Sequence, residues 1–372
     1  MTPLVTFIVP CYKLAHYLAE CVDSILSQTY TNLEVLIMDD CSPDNTPEVA
    51  QSFNDPRVRH VRNEPNLGHL RNYNKGIEMA RGKYVWLISA DDKLHVPHVL
   101  ERFVAVMEQR PDVGYAFCSG VELRNGEPPR TAQYTRLESH DVVFKGHDLL
   151  KRLLYANCII AASGMVRKSC YESWGAFPLD LPYAGDWYLW CLFALHRDVA
   201  YFAQPMAAYR IHDRSMTATF VNEAVGECIE NDLAVLWRIK QHAGEAGFYA
   251  MANRCRKAIA YEYARQLTSK KYRHAAARVS WEACEASLSL HASNKREMQW
   301  MRAHIHFSVG DLRVQNGASG ALESYAKGLR EHFWAPKAWT KSLLLLLGKP
   351  GAVLRRGASI LLGLAAPARV RN

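Results

Sequence analysis

The sequence predicts an α/β fold over residues 1–220, a sheet with helices on its faces, followed by an α-helical extension. Three observations carry this reading. Short β-branched runs alternate with helical patterns over residues 4–118, the mark of a layered sheet. From about Val221 to Leu347 helical patterns dominate instead. The chain has 372 residues, 49% hydrophobic and 22% charged, enough to bury two cores and unlike a disordered or low-complexity composition.

Taken in order, the runs Val5 to Val9, Val35 to Met38, Val58 to Val61, Tyr84 to Ile88 and Val113 to Phe117 are expected strands. Leu18, Val22, Ile25 and Leu26 share one helical face between the first two, and Leu70, Tyr73, Ile77 and Ala80 share another. Thr46-Pro47 and Val96-Pro97 put a proline where the first turn of a helix tolerates it. Residues 119–145 lose periodicity and gather Gly126, Pro128 and Pro129, which predicts a surface loop over the sheet. Helices are expected near Asp148–Tyr155 and Asp186–Leu195, and strands near Val199–Phe202 and Ala207–Ile211. The stretch Tyr261–Leu290, rich in Ala and spaced aromatics, suggests paired helices of tetratricopeptide type, although no second copy recurs at a fixed period. The expected division is a domain over 1–220, a helical domain or extension over 221–336 and a basic tail over 337–372.

Charge is unevenly distributed. Residues 1–220 hold 22 Lys and Arg against 25 Asp and Glu, whereas residues 221–372 hold 23 against 12. A basic half is usually a solvated helical surface and less often the face for a polyanion; no nucleic-acid partner is expected. The ten cysteines stand singly, without a C-x-x-C pair or a Cys/His cluster at zinc spacing, and read as reduced thiols. The start, Met1-Thr2-Pro3-Leu4, lacks a basic n-region, and its first apolar run is too short for a signal peptide. A cytoplasmic protein is the expectation.

Ligands of open α/β sheets bind beyond the carboxyl ends of the strands, so polar residues directly after apolar runs are the candidates. Pro10-Cys11-Tyr12, Asp39-Asp40-Cys41-Ser42 and Ser89-Ala90-Asp91-Asp92 follow strands in this way. The loop Asn66-Leu67-Gly68-His69-Leu70-Arg71-Asn72 opens a helix beside them. Two acidic pairs at the ends of buried strands repel each other and are costly to desolvate unless something positive or hydrogen-bonding sits there. A divalent cation carrying a diphosphate resolves the conflict, because Mg²⁺ or Mn²⁺ takes one or two carboxylates plus phosphate oxygens. The competing structural reading is that each Asp merely caps the next turn. His95 and His98, at i and i+3, read as structure because no carboxylate follows at metal-ligand spacing.

The stretches Phe7-Ile8-Val9-Pro10-Cys11-Tyr12, Cys21-Val22-Asp23-Ser24-Ile25-Leu26-Ser27-Gln28-Thr29-Tyr30 and Leu36-Ile37-Met38-Asp39-Asp40-Cys41-Ser42-Pro43-Asp44 resemble, in order and spacing, the N-terminal pattern of glycosyltransferase family two. The resemblance covers about residues 4–220 and implies a GT-A-type, Rossmann-like sheet. It implies that Asp40 accepts a hydrogen bond from a nucleobase, that Pro10 and Tyr12 line the base pocket, and that Arg71 sits at a nucleotide contact. The family's D-x-D motif reads Ser89-Ala90-Asp91-Asp92 here, so Asp91 matches the metal-binding acid while Ser89 replaces the first carboxylate by a neutral hydrogen-bonding group. Lys13 stands where Asn is common. Gly164-Met165-Val166 and Trp174-Gly175-Ala176-Phe177 resemble the approach to the family's Glu-Asp motif, which reads Gly185-Asp186. Asp186 then matches the catalytic base; by its local sequence alone it is an ordinary helix N-cap. In Tyr209-Arg210-Ile211-His212, the resemblance implies that His212 reaches the metal or diphosphate; a histidine at a strand end is the bland alternative.

The resulting expectation is an inverting, metal-assisted glycosyltransferase moving a sugar from a UDP-sugar to a hydroxyl of a glycan or lipid-linked acceptor in polysaccharide biosynthesis. A carboxylate base and a metal on opposite sides of the anomeric carbon supply what single displacement needs. A nucleotidyltransferase would carry a Gly-rich loop after strand one, and Val9-Pro10-Cys11-Tyr12-Lys13-Leu14 has no glycine. Dinucleotide and P-loop motifs are absent as well. A degenerate glycan-binding or scaffold module remains the non-enzymatic alternative, because of Ser89 and Gly185. After Glu331 no acidic residue occurs, while seven Lys and Arg flank the apolar clusters Leu343–Leu347 and Ile360–Leu364. Neither cluster spans a bilayer, so the tail reads either as interfacial segments on the cytoplasmic face of an anionic membrane or as a helix pair docked on the protein.

Overall fold

The computed structural model of the chain describes residues 2–124, 126–213, 215–269 and 279–346. They fall into two compact units, the first ending at Ala224 and the second beginning at Val225.

The first unit runs β1 (Val5–Cys11), α1 (Ala15–Leu26), β2 (Leu33–Asp39), α2 (Thr46–Gln51), β3 (Val58–Arg62), α3 (His69–Met79), β4 (Tyr84–Leu87), β5 (Lys93–Leu94), α4 (Val99–Gln109) and β6 (Val113–Arg124). It continues with β7 (Arg130–Thr131), β8 (Val142–Phe144), α5 (Gly146–Leu153), β9 (Gly164–Arg167), α6 (Lys168–Trp174), α7 (Gly185–His196), β10 (Asp198–Ile211) and α8 (Met216–Glu223). The strands form one sheet in the order β3-β2-β1-β4-β9-β6-β10-β5, with β7 added on β6 and β8 on β10. β1 and β2 are buried along their whole length, which is why they read as unbroken apolar runs rather than alternating ones. β3, at the sheet edge, is only partly buried and accommodates Arg59 and Arg62.

β2 and β3 lie to one side of β1 and β4 to the other, all four parallel. Strand order therefore reverses between β1 and β4, and a crevice opens beyond their carboxyl ends. β9 runs antiparallel between β4 and β6. Across the sheet, the rings of Phe7, Trp86, Phe103 and Phe202 stack in series with centroids 5.5, 4.9 and 4.6 Å apart, tying β1, β4, α4 and β10 into one core.

Three expectations need correction. Residues 119–145 are not a plain loop, since β6 continues to Arg124, β7 pairs back on it and β8 joins β10. The two strands expected near Val199–Phe202 and Ala207–Ile211 are one strand, β10, whose register shifts around Pro205 break the period. Pro97 precedes α4 by two residues instead of occupying its first turn. By contrast, α2 carries its proline at the first positions as expected.

The second unit is helical among the described residues: α9 (Val225–Glu245), α10 (Tyr249–Thr268), α11 (Trp281–His291), α12 (Lys295–Gln315), α13 (Ala321–Glu331) and α14 (Pro336–Leu346). Ser280 and Asn294 cap α11 and α12 by accepting backbone N–H bonds. The expected pair over Tyr261–Leu290 falls on the end of α10 and on α11, with 270–278 outside the described residues. Of the tail, α14 is described; Lys349, Arg355, Arg356, Arg369, Arg371 and the cluster Ile360–Leu364 lie outside the described residues. No described helix is long and apolar enough to cross a membrane. All ten cysteines are free thiols.

Candidate active site

The two carboxylates ending β2 have different surroundings. Asp39 is fully buried and engaged with the edge strand: Arg62 Nη1 donates to its Oδ2 at 2.6 Å, His60 Nε2 lies at 3.2 Å, and the Ser42 N–H donates to Oδ1 at 2.8 Å. It holds β2 to β3. Asp40 points the other way, into the loop that opens α3. Its Oδ1 accepts the Leu67 N–H at 2.8 Å and Asn63 Nδ2 at 2.9 Å, and its Oδ2 accepts the Gly68 N–H at 2.9 Å. A carboxylate offers about four acceptor positions, so one remains, on Oδ2. Gly68 takes φ +79° as it enters α3, a conformation that favours glycine, and Arg71 is exposed one turn later.

Beyond β1, Pro10 is buried and Tyr12 is 43% exposed. Lys13 Nζ lies 5.0 Å from the Tyr12 ring centroid. Lys13 and Cys41, directly after β1 and just after β2, both adopt φ +59°. Left-handed backbone at two non-glycine residues is strain of the kind that collects at functional sites.

At the end of β4, Ser89 is partly buried and its carbonyl accepts the Asp92 N–H at 2.9 Å. Asp91 Oδ2 lies 3.0 Å from His212 Nε2, across 121 residues of sequence. Arg210 locks this corner: its N–H donates to Asp92 Oδ1 at 2.9 Å, its Nε to the Asp91 carbonyl at 2.9 Å and its Nη2 to Glu20 at 2.5 Å. Burial, with Asp91 adjacent, pushes the Asp92 carboxyl well above the usual range. His95 and His98 take structural contacts, the first through its N–H to the Met206 carbonyl and the second toward Gln204.

Asp186 is the second residue of α7, whose N-cap is Ala184; it is not the capping residue its local sequence suggested. Its Oδ1 accepts the Trp187 N–H at 2.6 Å and its Oδ2 lies 3.3 Å from Asn157 Nδ2. Burial outweighs these bonds and pushes its carboxyl up to about 6. α7 is buried almost all round, which explains why it lacks an amphipathic period. Gly164 on β9 admits it closely: a Cβ there would stand 2.6 Å from the Trp190 ring. A Cβ at Gly185, where the family's Glu would be, would stand 3.1 Å from Phe177.

Tyr73, on α3, packs its ring against Phe177 with centroids 5.3 Å apart and feels the charge of these carboxylates. Its hydroxyl is pushed up first by burial and then by the charges of Asp91, Asp186, Asp92 and Asp40. By spacing alone Tyr73 reads as a core residue on a helical face, and Arg210 as one member of the stretch Tyr209-Arg210-Ile211-His212. Both act through tertiary neighbours that no local motif encodes.

A carboxylate and an imidazole are side chains of the kind that bind divalent cations. Asp91 Oδ2 and His212 Nε2 are 3.0 Å apart, about the spacing of adjacent ligands on a six-coordinate ion with bonds of ~2.1 Å. Among the described residues no group of three or more His, Cys, Asp and Glu is arranged to hold a metal. Two protein donors leave room for phosphate oxygens and water.

Residues 6–174 match the family model described as glycosyl transferase family 2. An uncharacterised glycosyltransferase of Rickettsia typhi is 28% identical over 227 residues, covering 60% of this chain and 68% of that one. The glycosyltransferase GlyG of Streptococcus pneumoniae is 36% identical over 115 residues, 30% of this chain and 38% of that one. Among solved structures, S. aureus TarS 1–349 in complex with UDP-GlcNAc superposes with a TM-score of 0.59 at 17% identity, covering 88% of this chain and 89% of that one. Such a likeness establishes the GT-A-type fold with its C-terminal helices. Residues 6–174 of this chain therefore match glycosyl transferase family 2, within a unit of GT-A-type fold.

Proposed function

We propose that the chain transfers a sugar from a UDP-sugar to a hydroxyl of a glycan or lipid-linked acceptor, by single displacement with inversion, assisted by Mn²⁺ or Mg²⁺. The observation that carries the reading is the meeting of Asp91 with His212, at 3.0 Å across 121 residues of sequence, beyond the carboxyl end of β4; Asp186, its carboxyl pushed up by burial, is the candidate base. A uridine nucleotide is favoured because TarS, of the same fold, was solved with UDP and with UDP-GlcNAc.

The nucleobase stacks by Tyr12 and Pro10 and donates to the remaining acceptor of Asp40, with Arg71 reaching toward the nucleotide from the first turn of α3. Asp91 and His212 would hold the cation, which would supply positive charge to offset the negative charge of the departing diphosphate. Ser89 offers a neutral hydrogen bond to donor hydroxyls. Asp186 accepts the proton of the acceptor hydroxyl as its oxygen bonds to the anomeric carbon; the bond from that carbon to the diphosphate oxygen breaks on the opposite face, so configuration inverts. With its carboxyl at about 6, Asp186 is roughly nine-tenths ionised at pH 7, basic enough to take the proton and ionised enough to be ready. The basic region 337–372 would bring the enzyme to an anionic membrane on the side where a lipid-linked acceptor is presented.

The test is a panel of nucleotide sugars incubated with purified protein and Mn²⁺, following release of the nucleoside diphosphate. Turnover of one UDP-sugar, lost with a chelator, is the expected result. Binding of a nucleotide sugar without turnover of any member would support the non-catalytic module instead.

A further inference from the structure

Five large apolar side chains near the end of the described chain face solvent: Phe333 at 58%, Trp334 at 84%, Trp339 at 47%, Leu343 at 59% and Leu346 at 67%. They form one patch. The Phe333 ring packs against Trp334 and Trp339 with centroids 5.5 and 5.4 Å away, and Trp339 Nε1 donates to the Phe333 carbonyl at 2.9 Å. Trp339, Leu343 and Leu346 recur at i, i+4 and i+7 and so share one stripe of α14. Ala338, Ser342 and Leu344 are the residues that α14 buries, so the helix has its packed positions and carries the stripe in addition.

A patch of this size on one short helix and its entry turn calls for a partner. Its chemistry selects one. Lys337 and Thr340 are exposed on α14, and from His332 to the end of the chain there are seven Lys and Arg and no Asp or Glu. Aromatic and leucine side chains beside lysines are the composition of helices that lie in the membrane interface, and α14 is far too short to span. Pairing with a second copy would set each basic segment against its own charge.

We propose that Phe333, Trp334 and the stripe Trp339, Leu343 and Leu346 insert into the interfacial layer of an anionic bilayer, with the exposed Lys337 at the headgroups; Lys341 is held by Asp311 at 2.6 Å instead. This rests on the membrane reading of residues 337–372 above and moves its apolar anchor to residues 333–346.

The experiment uses the full chain and vesicles of phosphatidylcholine with phosphatidylglycerol at low salt. Three proteins are compared with it: Trp334→Ser alone, the triple variant Trp334→Ser, Trp339→Gln, Leu343→Gln, and a chain ending at Leu346. Trp334 lies outside the helices, so its replacement leaves helix packing intact if the triple variant unfolds. The triple variant should partition at least about tenfold more weakly and Trp334→Ser measurably so; both should keep the thermal midpoint and donor turnover. Acyl-chain bromination should quench wild-type tryptophan fluorescence and spare the triple variant. Unchanged partitioning of Trp334→Ser and the triple variant, with binding lost only in the truncated chain, overturns the inference and leaves the tail reading standing. Failure of the full chain to bind overturns both. A dimer in sedimentation equilibrium that these substitutions abolish, without vesicle binding, would assign the patch to a second copy and overturn the proposal.

Discussion

Replacing Asp186 by Asn should make the protein more stable and nearly inactive at once. Burial raises the Asp186 carboxyl from an ordinary 3.8 to about 6. At 1.36 kcal/mol per unit, holding its charge in the folded state costs about 3 kcal/mol. The sign follows from linkage: between about pH 4 and 6 the folded state binds the proton and the unfolded state does not, so this group's contribution to stability falls as pH rises through that window and stays low above it. Asparagine removes the charge and keeps an oxygen for the Trp187 N–H, but its amide then faces Asn157 Nδ2, now 3.3 Å from Oδ2. Loss of that bond takes back ~1 kcal/mol, leaving a net gain of about 1–2 kcal/mol at pH 7 and little or none at pH 4. Turnover should fall at least ~10²-fold, and wild-type kcat/KM should drop about tenfold per pH unit below 6. Urea unfolding at pH 4 and 7, together with UDP-sugar hydrolysis between pH 5 and 8, measures all three. A variant less stable than wild type at pH 7, or a kcat/KM that is flat from pH 5 to 7, would refute the assignment of Asp186 as a desolvated base.

Asp91→Ala and His212→Ala should each abolish the manganese-dependent part of UDP binding in calorimetric titration and leave the metal-free part unchanged; equal losses with and without metal would contradict the proposed ligand pair. Asp40→Ala should weaken UDP binding even without metal, and it should cost about 2–4 kcal/mol of stability because Leu67 N–H, Gly68 N–H and Asn63 lose a buried charged acceptor. Gly164→Ala should destabilise by roughly 1–3 kcal/mol, since its methyl would meet the Trp190 ring at 2.6 Å; a thermal midpoint equal to wild type would mean that α7 can shift freely.

Much of the site is legible before folding because its residues directly follow strands. Pro10 and Tyr12 after the run from Val5, Asp40 after the run to Met38, and Asp91 after Tyr84 to Ile88 are located by apolar runs whose length and β-branching are local properties. The same locality accounts for α1 and α3, whose apolar faces have helical spacing. Where the local pattern misled, tertiary packing had overridden it. β10 reads as two strands because its bulges around Pro205 break the period, and residues 119–145 read as a loop because the short strands β7 and β8 depend on β6 and β10 for their pairing.

By itself, the sequence determined that strands alternate with helices, which polar residues stand at the strand ends, and that the basic charge lies behind them. Only the tertiary structure decided that β9 enters antiparallel between β4 and β6, that Asp39 braces the sheet edge while Asp40 anchors a loop, that His212 meets Asp91 across 121 residues, and that desolvation at the head of α7 pushes the Asp186 carboxyl up. The physical reason is one of range. Side-chain periodicity is set by neighbours a few residues away, whereas desolvation and charge coupling depend on which distant surfaces close over a group, and nothing in the chain's local pattern states that.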